Sequence, residues 1–403
     1  VTGTGSGIEN VGNATKITLK QAEITVKDGA GIHSAIGFTP SSGSQSGVIN
    51  VEGNGTGILF ENMDGSMTDN AITFTQAKDL VVNVKGANGK GIVANTSKAV
   101  NTTGSVNVID ANGAAALEVK GTTSKVDQGG NLHSAAQERI VKLSSTVSSF
   151  TNSGEMLFGS FTQNGDNYTF AAEKATDRIA VEKTGTTTIN FTNSGKINGV
   201  VRLTAANGTQ GNIVTLTAGS QGNEFTTGSG NDTFNVTGIT GSDTDNALKQ
   251  FNSLDGGNGS DTLNLAGSNY TVNKADTIKN IEQINLNSSS KLTLNDVLPN
   301  GTDTFVISSN SIMQYNTKTD KEFAQQAQGT GLFTVKGDPS KNDLTFDFKN
   351  KQNNFNGTFE TINVSFDLEG VNQQSLVNAT LRGSADSTIN VGTGTQNVKG
   401  VHM

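Results

Sequence analysis

Residues 49–58, INVEGNGTGI, return in close copies through the first third of this 403-residue chain: ITVKDGAGI ending at Ile32, VNVKGANGKGI ending at Ile92 and VNVIDANGAAAL ending at Leu117. Aligning Val26, Val51, Val84 and Val108 gives an uneven period, longest between Val51 and Val84, and Gly7-Ile8 precedes Gly31-Ile32 by a step like the shorter ones. A period of roughly 20–50 residues marks a stacked architecture, because one such unit is too thin to bury its own apolar face and does so only against its neighbours. Each copy reads as a short apolar-polar-apolar strand, a Gly/Asn/Asp corner, and a Gly-Ile pair that opens the next strand. Glycine and asparagine tolerate the positive φ of a corner, and Ile or Val packs well on the inward side of a pleated strand. The expectation is an all-β fold, a right-handed parallel β-helix or β-solenoid, in which each copy is one coil and short helices or loops are insertions.

Composition agrees with a chain of strands and corners. There are 49 glycines against 3 prolines, and only 33% of residues are apolar, which departs from the ordinary globular mix. The apolar residues still recur in strand-length alternation, a periodicity that disordered tracts lack. No run approaches the roughly 18–20 apolar residues of a spanning helix, so membrane insertion by this chain is not expected. A first residue of Val1 and the lack of a signal-peptide pattern suggest a mature or excised piece of a longer protein. Without cysteine, disulfides, thiol catalysis and Cys-based metal sites are excluded. The net charge is −8, spread without blocks, and no basic stripe with interleaved aromatics or polybasic patch points to nucleic acid or a membrane surface. With no Trp, and 19 Phe against 3 Tyr, the aromatics read as core stacking and not as a sugar platform.

Four stretches follow one another. Gly-Ile corners occupy 1–130, and residues 131–147 form a seam with a short helix expected around Ala135 to Lys142. FTNSG corners occupy 148–240, and Gly-Asp corners occupy 241–403, with a helical insertion near 243–254 and a C-terminal cap. The second style has two copies, SSFTNSGEM (148–156) and INFTNSGKI (189–197), which carry Phe150 and Phe191 at the same offset. Their separation suits two coils of roughly 20 residues each, with the two rings in one internal column and the asparagines bonded from coil to coil. In the insertion, Ser242 reads as a helix cap, with Leu248, Phe251 and Leu254 on one face.

The sharpest local motif is GGNGSDTLN at 256–264, a full match to the calcium-binding nonapeptide G-G-x-G-x-D-x-U-x, and TGSGNDTFN at 227–235 misses only the first glycine. Calcium requires six to eight oxygens from stacked turns, which makes Asp232 and Asp261 candidate Ca2+ ligands. The step from Asp232 to Asp261 is neither one nonapeptide nor two, so the turns read as out of tandem. The leading expectation is therefore a tight corner without a cofactor, and calcium is the alternative. His33, His133 and His402 are too scattered for a zinc site, and His33 reads as a surface residue. Asp243 and Asp245 could form the carboxylate pair of a polysaccharide-active enzyme, but a helix cap favours anions there anyway. No G-x-S-x-G serine stands out, so catalysis is not expected. Binding is expected where insertions break the repeat: His33, Phe38, Ser44 and Gln45 in one loop, Glu61, Met63 and Asp64 in a second, and Asp243, Lys249 and Gln250 in a third.

The Gly-Ile coils, the FTNSGEM and FTNSGKI coils, and the later DTLNL, NIEQINL and KLTL runs resemble the passenger region of type V autotransporters of Gram-negative bacteria. The resemblance covers about three quarters of the chain in style. It implies a right-handed parallel β-helix exported through the outer membrane by a C-terminal β-barrel and displayed or released as an adhesin, self-association factor or toxin. Neither barrel strands nor the serine-protease motif of some passengers is present in this sequence. The GGNGSDTLNL stretch also resembles S-layer and RTX-type surface proteins, a class that the Gly-Ile coils fit less well. The functional expectation is an extracellular adhesin that binds a host cell-surface receptor, extracellular matrix or a neighbouring copy. A secreted toxin or receptor-binding ligand is the alternative.

Overall fold

The four valines that frame the repeat stand in one register: Val26 pairs with Val51, Val51 with Val84 and Val84 with Val108. The unequal steps in sequence are therefore each one coil, and in the longest step residues 62–73 and 77–79 lie outside the described residues. The computed structural model describes residues 2–3, 5–10, 22–34, 47–61, 74–76, 80–137, 139–165, 167–204, 209–239, 248, 251–341, 343–348, 355–367, 379–383, 387–390 and 400–402. It divides into two units, Val1–Val214 with Gly219–Ser229, and Thr215–Ala218 with Gly230–Met403. Each is a parallel β-solenoid. Among the described residues no helix is long and apolar enough to cross a membrane.

In the first unit the chain visits three parallel sheets in turn. One contains Ala22–Val26, Gly47–Val51, Leu80–Val84, Ser105–Val108, Asn131–Ser134 and Glu155–Asn164. The second contains Ala30–Ser34, Thr56–Glu61, Lys90–Asn95, Leu117–Val119, Val141–Leu143, Ile179–Lys183 and Val200–Leu203. The third contains Val100–Thr102, Lys125–Gln128, Ser149–Asn152 and Asn190–Asn193. Alternation sends Ile24, Ile49, Val82 and Val106 inward as one buried column, while Ile32, Ile58, Ile92 and Leu117 form another. Glycine precedes the isoleucines because the coils close tightly. A Cβ on Gly57 would stand 2.2 Å from the Val82 side chain and 2.7 Å from the Gly91 carbonyl.

Two expectations for this unit change. Phe150 and Phe191 do share a column, with stacked rings 5.3 Å apart, and Asn152 Nδ2 donates to Asn193 Oδ1 at 2.7 Å. They are, however, direct register partners, so their spacing is one coil and not two. The surplus goes into a hairpin. After Phe158 the strand Glu155–Asn164 leaves its sheet and pairs antiparallel with Asn167–Ala172, Phe161 opposite Phe170 and Asn164 opposite Asn167. One hairpin face folds onto the first sheet, with Phe170 stacked on His133 at 3.9 Å and Lys85 Nζ 5.5 Å from the Tyr168 ring centre. The second change is at 135–142, where no helix forms among the described residues. The coil runs from Asn131–Ser134 to Val141–Leu143, and Ala136, Ile140 and Val141 are buried, so inward packing overrides the local helix propensity.

A lysine interrupts the inward face of the second sheet. Lys183 pairs in register with Leu143 and Leu203, is fully buried, and donates to the Ser145 and Thr187 carbonyls at 3.1 and 2.8 Å. Burial pushes its ammonium down to about 8. Because the folded value lies below the unfolded one, this group adds stability as pH rises from about 8 toward 10.5. The expected result is that wild-type unfolding midpoints gain from this group over that range and that a Lys183→Met variant lacks the gain. Parallel pH profiles for the two proteins would contradict it.

In the second unit, Asn231–Thr237, Thr262–Ala266, Gln283–Asn287, Thr304–Ile307 and Gln326–Gly329 form one parallel sheet. Another contains Asn269–Val272, Lys291–Asn295, Ile312–Thr317, Leu332–Gly337, Thr358–Ile362 and Thr380–Gly383, and a smaller one contains Lys321–Phe323, Thr345–Phe348, Ser365–Asp367 and Ile389–Asn390. Phenylalanine fills the space between them. Phe305, Phe323, Phe333, Phe346, Phe348, Phe359 and Phe366 are all buried, with Phe323 5.2 Å from Phe333 and 5.6 Å from Phe348 between ring centres. The predicted insertion near 243–254 lies largely outside the described residues. Leu248, Phe251 and Leu254 are buried, and the Phe251 amide donates to the Leu248 carbonyl at 2.9 Å.

Candidate functional site

Of the loop residues expected to bind, the structure brings two together. His33, one residue before the end of Ala30–Ser34, stands with Nδ1 3.6 Å from Glu9 Oε1 and Nε2 3.4 Å from Glu61 Oε2. Its side chain is 15% exposed, an outward-facing residue partly covered by the two glutamates. Asn95 Nδ2 extends the row, donating to Glu61 Oε1 at 2.8 Å. Glu9 is the register partner of His33 and Asn95 that of Glu61, whereas His33 itself pairs with Leu59, so Glu61 reaches it from two residues further along the next strand. Phe38, Ser44, Gln45, Met63, Asp64, Asp243, Lys249 and Gln250 lie outside the described residues, as does Asp245.

The two nonapeptide-like corners are neighbours. Thr233 pairs with Thr262, which sets Asp232 beside Asp261 on adjacent coils, so the step between them is a single coil and the out-of-tandem reading is corrected. A parallel coil fixes where its strands return and leaves open how many residues lie between them, so the residue count alone misleads. The carboxylates of Asp261 and Glu282 each accept a backbone amide. The Asp232 amide donates to Asp261 Oδ1 at 2.6 Å, and the Asp261 amide donates to Glu282 Oε2 at 2.6 Å. Asp261 is fully buried, its Oδ2 has no hydrogen-bond partner among the described residues, and that oxygen packs against Gly256. Burial is the main cause that pushes its carboxyl up to about 7; the bond from the Asp232 amide opposes this, and the charges of Asp232, Glu282 and Asp255 add to it. Among the described residues no group of three or more His, Asp or Glu side chains is placed to hold a metal ion.

Sequence reading missed a third cluster, in the first unit. Glu118 and Lys142 are register partners on the outer face of the second sheet, and the row continues through Glu182 and Arg202 with alternating charge. Glu118 is 8% exposed and has three ammonium groups around it: Lys142 Nζ 3.7 Å from Oε1, and Lys120 and Lys90 Nζ 3.5 and 3.8 Å from Oε2. Arg139 pairs with Glu182 beside them. Beneath these groups is a concavity of about 230 Å³. The legible part of the signal was the outward position of Glu118 and Lys142 in their strands, and the register supplied the rest.

No family model, no curated protein and no solved structure matches the chain. What the fold defines is a parallel β-solenoid whose outer faces carry rows of aligned polar side chains.

Proposed function

We propose that this chain is an exported bacterial surface or secreted protein of the autotransporter-passenger kind and that it works by binding. It acts as an adhesin or self-association factor, engaging a host receptor, extracellular matrix or a neighbouring copy. The observation that supports this reading best is the set of amide rows on the second unit. Asn264 Nδ2 donates to Asn235 Oδ1, and Asn285 Nδ2 to Asn264 Oδ1, each at 2.8 Å. In a second row Asn295 donates to Asn273, and Asn316 to Asn295, each at 2.7 Å. The second row borders a concavity of about 610 Å³ that Asp296, Val297 and Lys318 also line.

Such rows hold donors and acceptors at the strand spacing of about 4.8 Å with their rotamers already fixed, so a partner that matches the spacing is bound at little ordering cost. Recognition of this kind requires neither a moving part nor a catalytic residue. The test is attachment. Beads coated with the full chain are expected to adhere to host cells, to matrix or to one another, and Asn264→Lys with Asn295→Lys is expected to weaken that adhesion at least five-fold while the variant stays folded. Beads that bind none of the three would overturn the reading, and free chain acting on host cells at low concentration would favour a released ligand instead.

A further inference from the structure

We propose that the concavity over Glu118 binds an oxyanion carried on a saccharide, that is, a sulfated or carboxylated glycan. This deepens the binding function above and rests on it, but it concerns a different face and the other unit.

The concavity spans three successive coils. Its walls come from the corners before Lys90–Asn95, Leu117–Val119 and Val141–Leu143, strands that lie side by side in register. Lys90, Arg139 and Lys142 line it together with Glu118, Asn88 and Asn112. Three cations thus face one carboxylate, within a chain whose net charge is −8. The charge of the chain as a whole repels anions, so the cationic lining is a local feature.

Arg139 is paired with Glu182, but Glu118 does not use up Lys90 and Lys142 of the lining, nor Lys120 beside it. The ammonium nitrogens stand 3.5–3.8 Å from its oxygens, beyond the roughly 2.7–2.9 Å of a charge-assisted hydrogen bond. Their contacts with Glu118 are coulombic, and their N–H groups keep the capacity to donate to a further acceptor. Glu118 itself is buried under them and acts as a fixed internal counter-ion that gathers the three lysines from three coils. A concave wall of low dielectric focuses the resulting field on its opening.

The rest of the lining selects the carrier. Asn88 and Asn112 bring amides to the rim, suited to hydroxyl groups, and the lining contains no aromatic side chain on which a nucleobase could stack. Two coil spacings measure about 10 Å, the length of a disaccharide. Charge at the centre and hydroxyl partners at the edge describe a glycan bearing sulfate or carboxylate.

The experiment titrates the full chain with a sulfated disaccharide and a sialylated trisaccharide, each against its uncharged counterpart. Binding of at least one charged sugar is expected, with none of its neutral counterpart. The double variant Lys90→Gln, Lys142→Gln is expected to lose at least ten-fold in affinity, whereas Lys336→Gln, exposed in the other unit, loses nothing. Glu118→Gln is expected to bind at least three-fold more tightly, because the negative charge that partly cancels the field of the lysines is gone. Lys142→Arg keeps binding, which separates charge from a folding defect, and a melting curve accompanies every variant. The proposal is overturned if neither charged sugar binds, if the double variant binds as wild type, or if a DNA oligomer of equal charge competes as well as the sugar. Bead attachment that persists in the double variant, with no sugar bound by wild type, overturns this site while leaving the adhesive function standing.

Discussion

A single methyl group added at Gly154 is expected to lower the stability of the first unit by about 3 kcal/mol or more. Gly130, Gly154 and Gly195 close the same corner on successive coils, the corner of the FTNSG repeat. A Cβ on Gly154 would stand 1.9 Å from the Gly130 carbonyl oxygen, one on Gly130 1.9 Å from that of Gly104, and one on Gly195 2.0 Å from that of Gly154. In each case the obstacle is backbone of the neighbouring coil, which no rotamer change can move. Those carbonyls are also in use: Glu155 N–H donates to Gly130 and Lys196 N–H to Gly154, each at 3.0 Å. Relief would require neighbouring coils to part against their own ladder. Gly129 is the matched control, because a Cβ there would meet nothing nearer than the Ser153 hydroxyl at 3.4 Å. Urea unfolding followed by circular dichroism should therefore place Gly129→Ala within about 0.5 kcal/mol of wild type and Gly154→Ala far below it. Equal midpoints for the two variants would refute this account of the corner.

The same corner marks the limit of what was legible in the chain. The Gly-Ile coils were readable because each carries a β-branched residue at the same offset from its glycine, and only one register buries all of them. Alternation also placed Phe150 above Phe191. Counting residues between them failed, since a parallel coil fixes where its strands return and leaves the length of its excursions open. The hairpin at 155–172 did have a signal, the Gly165-Asp166 pair between Asn164 and Asn167 with aromatics on either side, and Gly165 stands at φ +62°. Its strands read as further coil because both periods are two. Residues 135–142 misled in the opposite sense: their Ala, Gln, Glu and Arg suit a helix, but Ile140 and Val141 had a column to continue.

Site residues were legible to the extent that chemistry is local. Asp232 and Asp261 sit in motifs that can be recognised alone, but the residue count between them hid that they were one coil apart. Glu118, Lys90, Lys120 and Lys142 belong to no motif. They converge only because three strands share a register, with Lys142 opposite Glu118, and lysines scattered along the sequence carry no mark of that. In a solenoid, a surface cluster is a property of columns, and columns are visible only once each coil has been measured.

Asp261 gives the largest expected dependence on pH. Its carboxyl ordinarily titrates near 3.8 and in the fold is pushed up to about 7, first by burial. The folded chain therefore holds a proton that the unfolded chain releases at about pH 4. Stability from this group is fully present below pH 4, declines as pH rises, and is lost above about pH 7, where folding must bury the charged form. A carboxyl raised from 3.8 to about 7 makes the difference between pH 4 and pH 8 roughly 4 kcal/mol. Asp261→Asn keeps an oxygen to accept the Asp232 amide and has no charge to bury, so it should flatten the profile and be the more stable protein at pH 8. His133, in the other unit, is pushed down chiefly by burial and has the opposite sign, adding stability as pH rises; comparison of variant with wild type cancels it. Calcium distinguishes the remaining alternative. A cation at Asp232 and Asp261 would favour the ionised carboxylate, so added calcium would raise the wild-type midpoint at pH 8 and leave Asp261→Asn unmoved. Without that shift, and with a flat profile for the variant, the Gly-Asp corner works as a proton-holding turn; a variant profile as steep as wild type would mean that Asp261 is not the titrating group.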